Sequence, residues 1–298
     1  MKRSQPKLNL SGLLILVIIL FTTEMVASQA AHNRSILPFV TKNNDLFGMA
    51  KTFITNIGQY DDIPKGHTQE KILFGYEGMG GMILFTKKGI VQVQRKELDE
   101  TESSELRAAR EKEKQEDKES EEREKWMQVQ KVITMEWKGA NSNVQIIAEE
   151  PTVHHYTYNL NSKMAKGYGR IVYKEIYPGI DLVFSFRQGE IRGVEYSLEV
   201  KPGADISKVQ FVYGGDLKTI AKEARGDLVV QTDIEATRFS APKSFYNDRS
   251  SVETGFSLTG RTIKFSFPKG YNKTRAITID PFISSANPLT SQNVENNG

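Results

Sequence analysis

The chain has 298 residues, 38% of them hydrophobic and 26% charged, so it can bury a core without staples and is neither a fibre nor wholly disordered. It contains no cysteine, which excludes thiol catalysis, disulfides, cysteine-ligated zinc and iron–sulfur clusters. The net charge of +3 hides an asymmetry: residues 96–125 carry 8 Lys/Arg against 13 Asp/Glu, leaving a mildly basic remainder suited to acidic polysaccharide or lipid headgroups.

Lys2, Arg3 and Lys7 precede the apolar run 13–21 (LLILVIILF), and small residues follow at Ala27-Ser28 and Ala30-Ala31. This is the pattern of a secretory signal peptide over residues 1–30, cleaved after Ser28 or Ala30. A spanning helix needs about 20 apolar residues. Thr22, Thr23 and Glu24 stop the run short of that. An uncleaved anchor is the alternative, and would be the chain's one contact with a membrane. Either way the rest is expected to be extracellular or at the cell surface.

Residues 31–52 are weakly patterned and read as a loose lead-in. A first β segment is predicted over 53–95. Within it, 72–76 (ILFGY) and 82–86 (MILFT) flank a glycine-rich turn and read as a hairpin. Val91 and Val93 then alternate with Gln92 and Gln94, the period of a half-buried strand with its glutamines in solvent.

The charge run follows. It lacks Pro and Gly and sets Glu119 before Arg123 and Glu121 before Lys125, a spacing that predicts a solvated helical insertion over 96–128. Leu98 and Leu106 are its only large apolar residues, too few for a packed face.

The main β-sandwich region is predicted over 129–283. Val129, Ile133, Met135 and Trp137 share one face, and 144–148 follows a turn. The clearest hairpin sets 180–186 against 194–200, with Ile180, Leu182, Phe184 and Phe186 opposite Val194, Tyr196, Leu198 and Val200. Asp181, Ser185, Glu195, Ser197 and Glu199 point the other way. Further strands are expected at 209–213, 228–232, 262–267 and 276–279, and residues 284–298 read as a linker or tail. Many short strands between turn residues predict an all-β protein of sandwich type.

Two turns bracket that hairpin. Tyr177-Pro178-Gly179-Ile180 and Lys201-Pro202-Gly203-Ala204 each place Pro and Gly where a type II turn needs them. A structural role accounts for Pro178, Gly179, Pro202 and Gly203 without invoking chemistry.

Candidate sites are few. Tyr156, Tyr158, Tyr168, Tyr173 and Tyr177 crowd the central strands. Tyr168, Tyr173 and Tyr177, with Asp181, are the ligand-binding candidates, the rings either stacking on sugars or filling the edge of the core with their hydroxyls reaching water. His154-His155 is the one histidine pair and reads as a surface loop rather than a metal site. Asp181, Asp205, Asp216, Asp227 and Asp233 sit near turns, where capping explains them. They suggest calcium, but no D-x-D-x-D-G loop supports it, and no cofactor is expected. Arg225-Gly226-Asp227 spells an adhesion tripeptide and is also a good hairpin turn. No G-x-S-x-G occurs, no phosphate loop opens a helix, and no basic-aromatic strip suggests nucleic acid.

Read together, 53–61 (FITNIGQYD), 83–90 (ILFTKKGI), 138–141 (KGAN), 171–183 (IVYKEIYPGIDLV), 200–205 (VKPGAD) and 277–281 (ITIDP) resemble a known family. It is the N-terminal domain of unknown function of large exported proteins from Bacteroidota. There it precedes β-propeller-type SBBP repeats, PKD modules or gliding-motility-type C-terminal domains. The resemblance spans about residues 53–284 and implies an exported surface protein, of which this chain would be the head or a remnant. The expected role is non-catalytic display, assembly or adhesion, with surface polysaccharide or other envelope proteins as partners. A carbohydrate-binding domain is the first alternative, and a hydrolase built on a carboxylate pair that includes Asp181 is the second.

Overall fold

The computed structural model describes residues 51–63, 66–78, 81–97, 128–158, 163–187 and 193–285. The signal segment, nearly all of the lead-in and of the charge run, and the tail beyond 285 lie outside the described residues. Those described form 19 β-strands and one 3-10 turn, Ile206–Lys208, and no helix among them is long and apolar enough to cross a membrane.

The first half supplies β1 (Phe53–Thr55), β2 (Phe74–Gly78), β3 (Gly81–Phe85), β4 (Gly89–Glu97), β5 (Gln128–Trp137), β6 (Gln145–Thr157), β7 (Met164–Tyr177), β8 (Ile180–Ser185) and β9 (Val194–Val200). The second supplies β10 (Phe211–Gly215), β11 (Thr219–Lys222), β12 (Leu228–Gln231), β13 (Ala236–Phe239), β14 (Lys243–Tyr246) and β15 (Ser251–Val252). It ends with β16 (Gly255–Thr259), β17 (Thr262–Ser266), β18 (Ile277–Asp280) and β19 (Phe282–Ser285). Every ladder is antiparallel.

The all-β expectation holds, but the two-layer sandwich gives way to one continuous, nearly closed barrel-like sheet. From β1 the ladders run through β2, β3, β4 and β5 to β10, β17 and β16. The other way they run from β1 through β7, β8 and β9 to β19, β13, β12 and β11. Between β11 and β16 no ladder forms among the described residues; there Lys222 Nζ donates to Phe256 O at 2.8 Å. β6 lies outside β7, while β14 and β15 hang from β18.

The predicted hairpin is present in register, with Ile180 opposite Val200, Leu182 opposite Leu198 and Phe184 opposite Tyr196. β9 alternates strictly between buried and half-buried positions. Its inner side chains join an aromatic series that crosses the core through Phe53, Phe85, Phe184, Tyr196, Phe211 and Phe265, with centroids 5.0–6.1 Å apart. Such edge-on contacts add about 0.5–1.5 kcal/mol each beyond burial.

Two readings of strand patterning need correction. The predicted helical insertion begins and ends in strand: Lys96 and Glu97 close β4 and Gln128 opens β5, while residues 98–127 lie outside the described residues. Gln92 and Gln94, expected in solvent, are 6% and 0% exposed and face the interior. There Gln92 Nε2 donates to Thr237 Oγ1 at 2.8 Å, and Gln94 accepts from Thr232 Oγ1 at 2.5 Å. The valines face outward, yet they too are covered. Tyr60, Ile72, Met82, Leu84 and Val132 pack on Val91 and Val93, because the segment after β1 folds over this side. Tyr60 and Tyr158 pin that cover by donating to Glu77 Oε1 at 3.0 and 3.3 Å.

Candidate functional site

The sequence-derived tyrosines divide sharply. Tyr173 and Tyr177 are core residues: the Tyr173 hydroxyl donates to Thr86 O at 2.9 Å, and that of Tyr177 reaches the carbonyls of Lys138 (3.1 Å) and Gln210 (3.3 Å). Burial raises the pKa of both phenols, so they remain donors. Neither ring offers a face to a sugar. Tyr168 is half-buried on β7 and meets the edge of Phe74 at 6.2 Å.

Asp181 is on the outer face of β8 as expected, yet it is buried rather than solvated. Its Oδ1 accepts the Glu175 N–H at 2.7 Å and its Oδ2 accepts Lys174 Nζ at 2.9 Å. Burial pushes this carboxyl up, but the two donors outweigh it and hold it below the ordinary aspartate value. It is a locked anion that ties down a bulge in β7, where Glu175 has φ 47°.

Pro178, Gly179, Pro202 and Gly203 do form turns, with Gly179 at φ 73° and Gly203 at φ 82°. The second is closed by Ala204 N donating to Lys201 O at 3.1 Å. His154 and His155 lie in β6 beside a register shift, not in a loop, and no metal-binding group occurs among the described residues. The 225–227 tripeptide makes the β11–β12 turn; Asp227 is turned inward to Arg238 (2.9 Å) and the Ala241 N–H (2.8 Å).

Sequence reasoning missed the carboxyl pair with the most chemical latitude. β9 is bordered by β18 along residues 198–200 and by β19 along 194–195. The chain switches between the two at Pro281, whose carbonyl accepts the Tyr196 N–H at 3.2 Å. This kink sets Asp280 beside Glu195. Arg187 clamps Glu195 Oε1 with Nε at 2.9 Å and Nη2 at 2.6 Å, and its Nη2 lies 3.8 Å from Asp280 Oδ2. The guanidinium rests on the Phe282 ring at 4.7 Å, and Lys51 Nζ holds the Arg187 carbonyl at 2.8 Å.

Burial, then the charge of Glu195 and a hydrogen bond to it, push the Asp280 carboxyl up to about 7, against the pull of Arg187 and Lys243. Asp280 Oδ1 is buried and unpartnered. Two carboxyls in contact cannot both ionise cheaply, and with Glu195 held by Arg187 it is Asp280 that keeps its proton toward neutral pH. The arrangement can give or take a proton near pH 7. Its sequence signal was proline inside a strand pattern, a sign of an edge or kink.

Residues 53–282 match the family described as Domain of unknown function (DUF7948). No curated protein and no solved structure matches the chain.

Proposed function

The chain belongs to the DUF7948 family, and from that premise we propose that it is a non-catalytic β module of an exported bacterial surface protein, acting in display, assembly or adhesion. Export is supported by the basic start, apolar run and small residues of the first 31 positions. The surface context rests on the resemblance to Bacteroidota proteins.

The observation that carries the reading is where the family-like phrases fall. Residues 171–183 and 200–205 build two touching turns with the end of β7, the start of β8 and the last residue of β9, and 277–281 builds β18 and its kink. Those residues work as scaffold. The surfaces they hold apart are then available to bind.

Export is tested in a host with a Bacteroidota envelope, by sequencing the amino terminus of the full chain and treating intact cells with protease. A terminus following Ser28 or Ala30 and cleavage on intact cells are expected. An intact Met1 on a chain protected inside the cell would overturn the proposal. The hydrolase reading shifts from Asp181 to Asp280 and Glu195, and it requires a turnover that Asp280→Asn abolishes.

A further inference from the structure

β14, the turn after it and β15 enclose a shallow groove of ≈ 540 Å³. Lys243 and Arg249 stand on its walls, both exposed; Arg249 makes no ion pair among the described residues, and Lys243 stands opposite Asp280, on whose carboxyl its charge acts without a close ion pair. The acidic neighbours are already neutralised. Glu253 meets Lys269 Nζ at 2.8 Å, and Asp248 meets Arg275 Nη2 at 2.7 Å. The groove therefore keeps a local excess of positive charge.

Two further features look like a site rather than a chance gap. Arg249 has φ 66°, a left-handed conformation that a bulky side chain adopts only at a cost. It is fixed there by Arg249 N donating to Tyr246 O at 2.8 Å, and its guanidinium lies 5.0 Å from the Phe245 ring centroid. That stacking keeps a planar fork in place for a carboxylate or sulfate. Ser251, opposite Phe245 in the ladder, and Thr254 add hydroxyls along the groove beside that ring.

We propose that this groove binds an acidic saccharide, a glycan chain bearing carboxylate or sulfate groups, with Lys243 and Arg249 holding the anion. Hydroxyls next to the half-buried Phe245 ring suit a sugar ring, which presents both polar and apolar surface. A lipid surface fits less well. The exposed large hydrophobics among the described residues are Val153 at 87% and Met164 at 60%, and both belong to the β6–β7 arm rather than to this groove. The proposal does not depend on export, since the groove would take the same ligand in any compartment.

Affinity electrophoresis of the full chain tests it, with polygalacturonate, dextran sulfate or neutral dextran cast in the gel. Retardation by one or both anionic polymers, weakening with added salt, is expected. Lys243→Gln together with Arg249→Asn should lower affinity by about tenfold or more. Asparagine tolerates φ > 0, so the second change removes the charge without breaking the turn. Thermal melting confirms the fold of the double variant, and Lys166→Gln on the distant arm should bind as the unaltered chain does. Failure to bind either polyanion, or binding that the folded double variant retains in full, would overturn the site. Binding to phosphatidylserine vesicles in preference to both polymers would overturn the saccharide assignment.

Discussion

Lys201 donates its backbone N–H to the carbonyl of Gly179 at 2.9 Å, so the turn that opens β8 and the turn that closes β9 are joined to each other. A Cβ on Gly179 would stand 3.0 Å from the Cβ of Ala204, whereas one on Gly203 would meet nothing within 4 Å. Both glycines have positive φ. Gly203→Ala should therefore cost only the conformational penalty of about 1–2 kcal/mol. Gly179→Ala should cost more, because it also forces the turns apart. Urea unfolding of the two variants gives the comparison, and equal losses would show that the contact between the turns contributes nothing.

Asp280 predicts the direction of a pH effect. Its carboxyl titrates near 7 when folded and near the ordinary 3.8 when unfolded, so between these values the folded state binds the extra proton. Stability should fall as pH rises from about 4 to about 7, then level off, with a total on the order of a few kcal/mol. Asp280→Asn mimics the protonated carboxyl and should flatten the profile, making the variant the more stable form at pH 8. Chemical denaturation at several pH values would show this, and parallel profiles for the two proteins would refute it.

For Tyr173 the buried ring and the 2.9 Å bond to Thr86 O make two separable contributions. Tyr173→Phe keeps the ring, leaves the carbonyl without its donor and should cost about 1–3 kcal/mol. Tyr173→Ala opens a cavity and should cost about 3–5 kcal/mol. Neither should change affinity for a saccharide while the protein stays folded. A folded Tyr173→Phe variant that loses saccharide binding would return this residue to the candidate site.

The interior glutamines depend on a threonine from the opposite wall. Thr237 Oγ1 accepts from Gln92 at 2.8 Å and from Gln94 at 3.1 Å. Thr237→Val preserves shape and strands the Gln92 amide N–H, while Gln94 keeps Thr232 and the Glu235 carbonyl, which predicts a loss of about 1–3 kcal/mol. Replacing Gln92, Gln94 and Thr237 together with apolar residues of similar size should recover much of that loss. Thermal melts of the single and triple variants would decide between a network that must be complete and one that is dispensable.

What was legible in the sequence was local. The β8–β9 hairpin could be read because its alternation and its Pro-Gly turns lie within about 25 residues of each other in the chain. Gln92 and Gln94 were misread because their partners, Thr232 and Thr237, come from about 140 residues away and only the barrel's curvature brings them opposite. Tyr173 and Tyr177 could be read as core-edge or sugar-stacking rings but not as fully enclosed, because the carbonyls that satisfy their hydroxyls belong to Thr86, Lys138 and Gln210. β1, β7, β11, β13, β14, β15, β16 and β19 went unread. Apart from the 14-residue β7, whose pattern is broken by the bulge at Glu175, they are two to five residues long, with little alternation of their own, and they are specified by the ladders they join. The Asp280–Glu195 pair is a product of one proline kink, which composition and periodicity cannot register.

Among the described residues one ammonium, that of Lys222, links β11 to β16 by a hydrogen bond and gives the barrel-like sheet a seam. Elsewhere, peeling two strands apart breaks a run of backbone rungs together, whereas here it breaks the hold of Lys222 on Phe256 O. The wall can therefore unroll at this one joint while its other ladders stay intact. Spontaneous breathing should start there, and amide protons flanking the joint should exchange with solvent before those of β8 and β9.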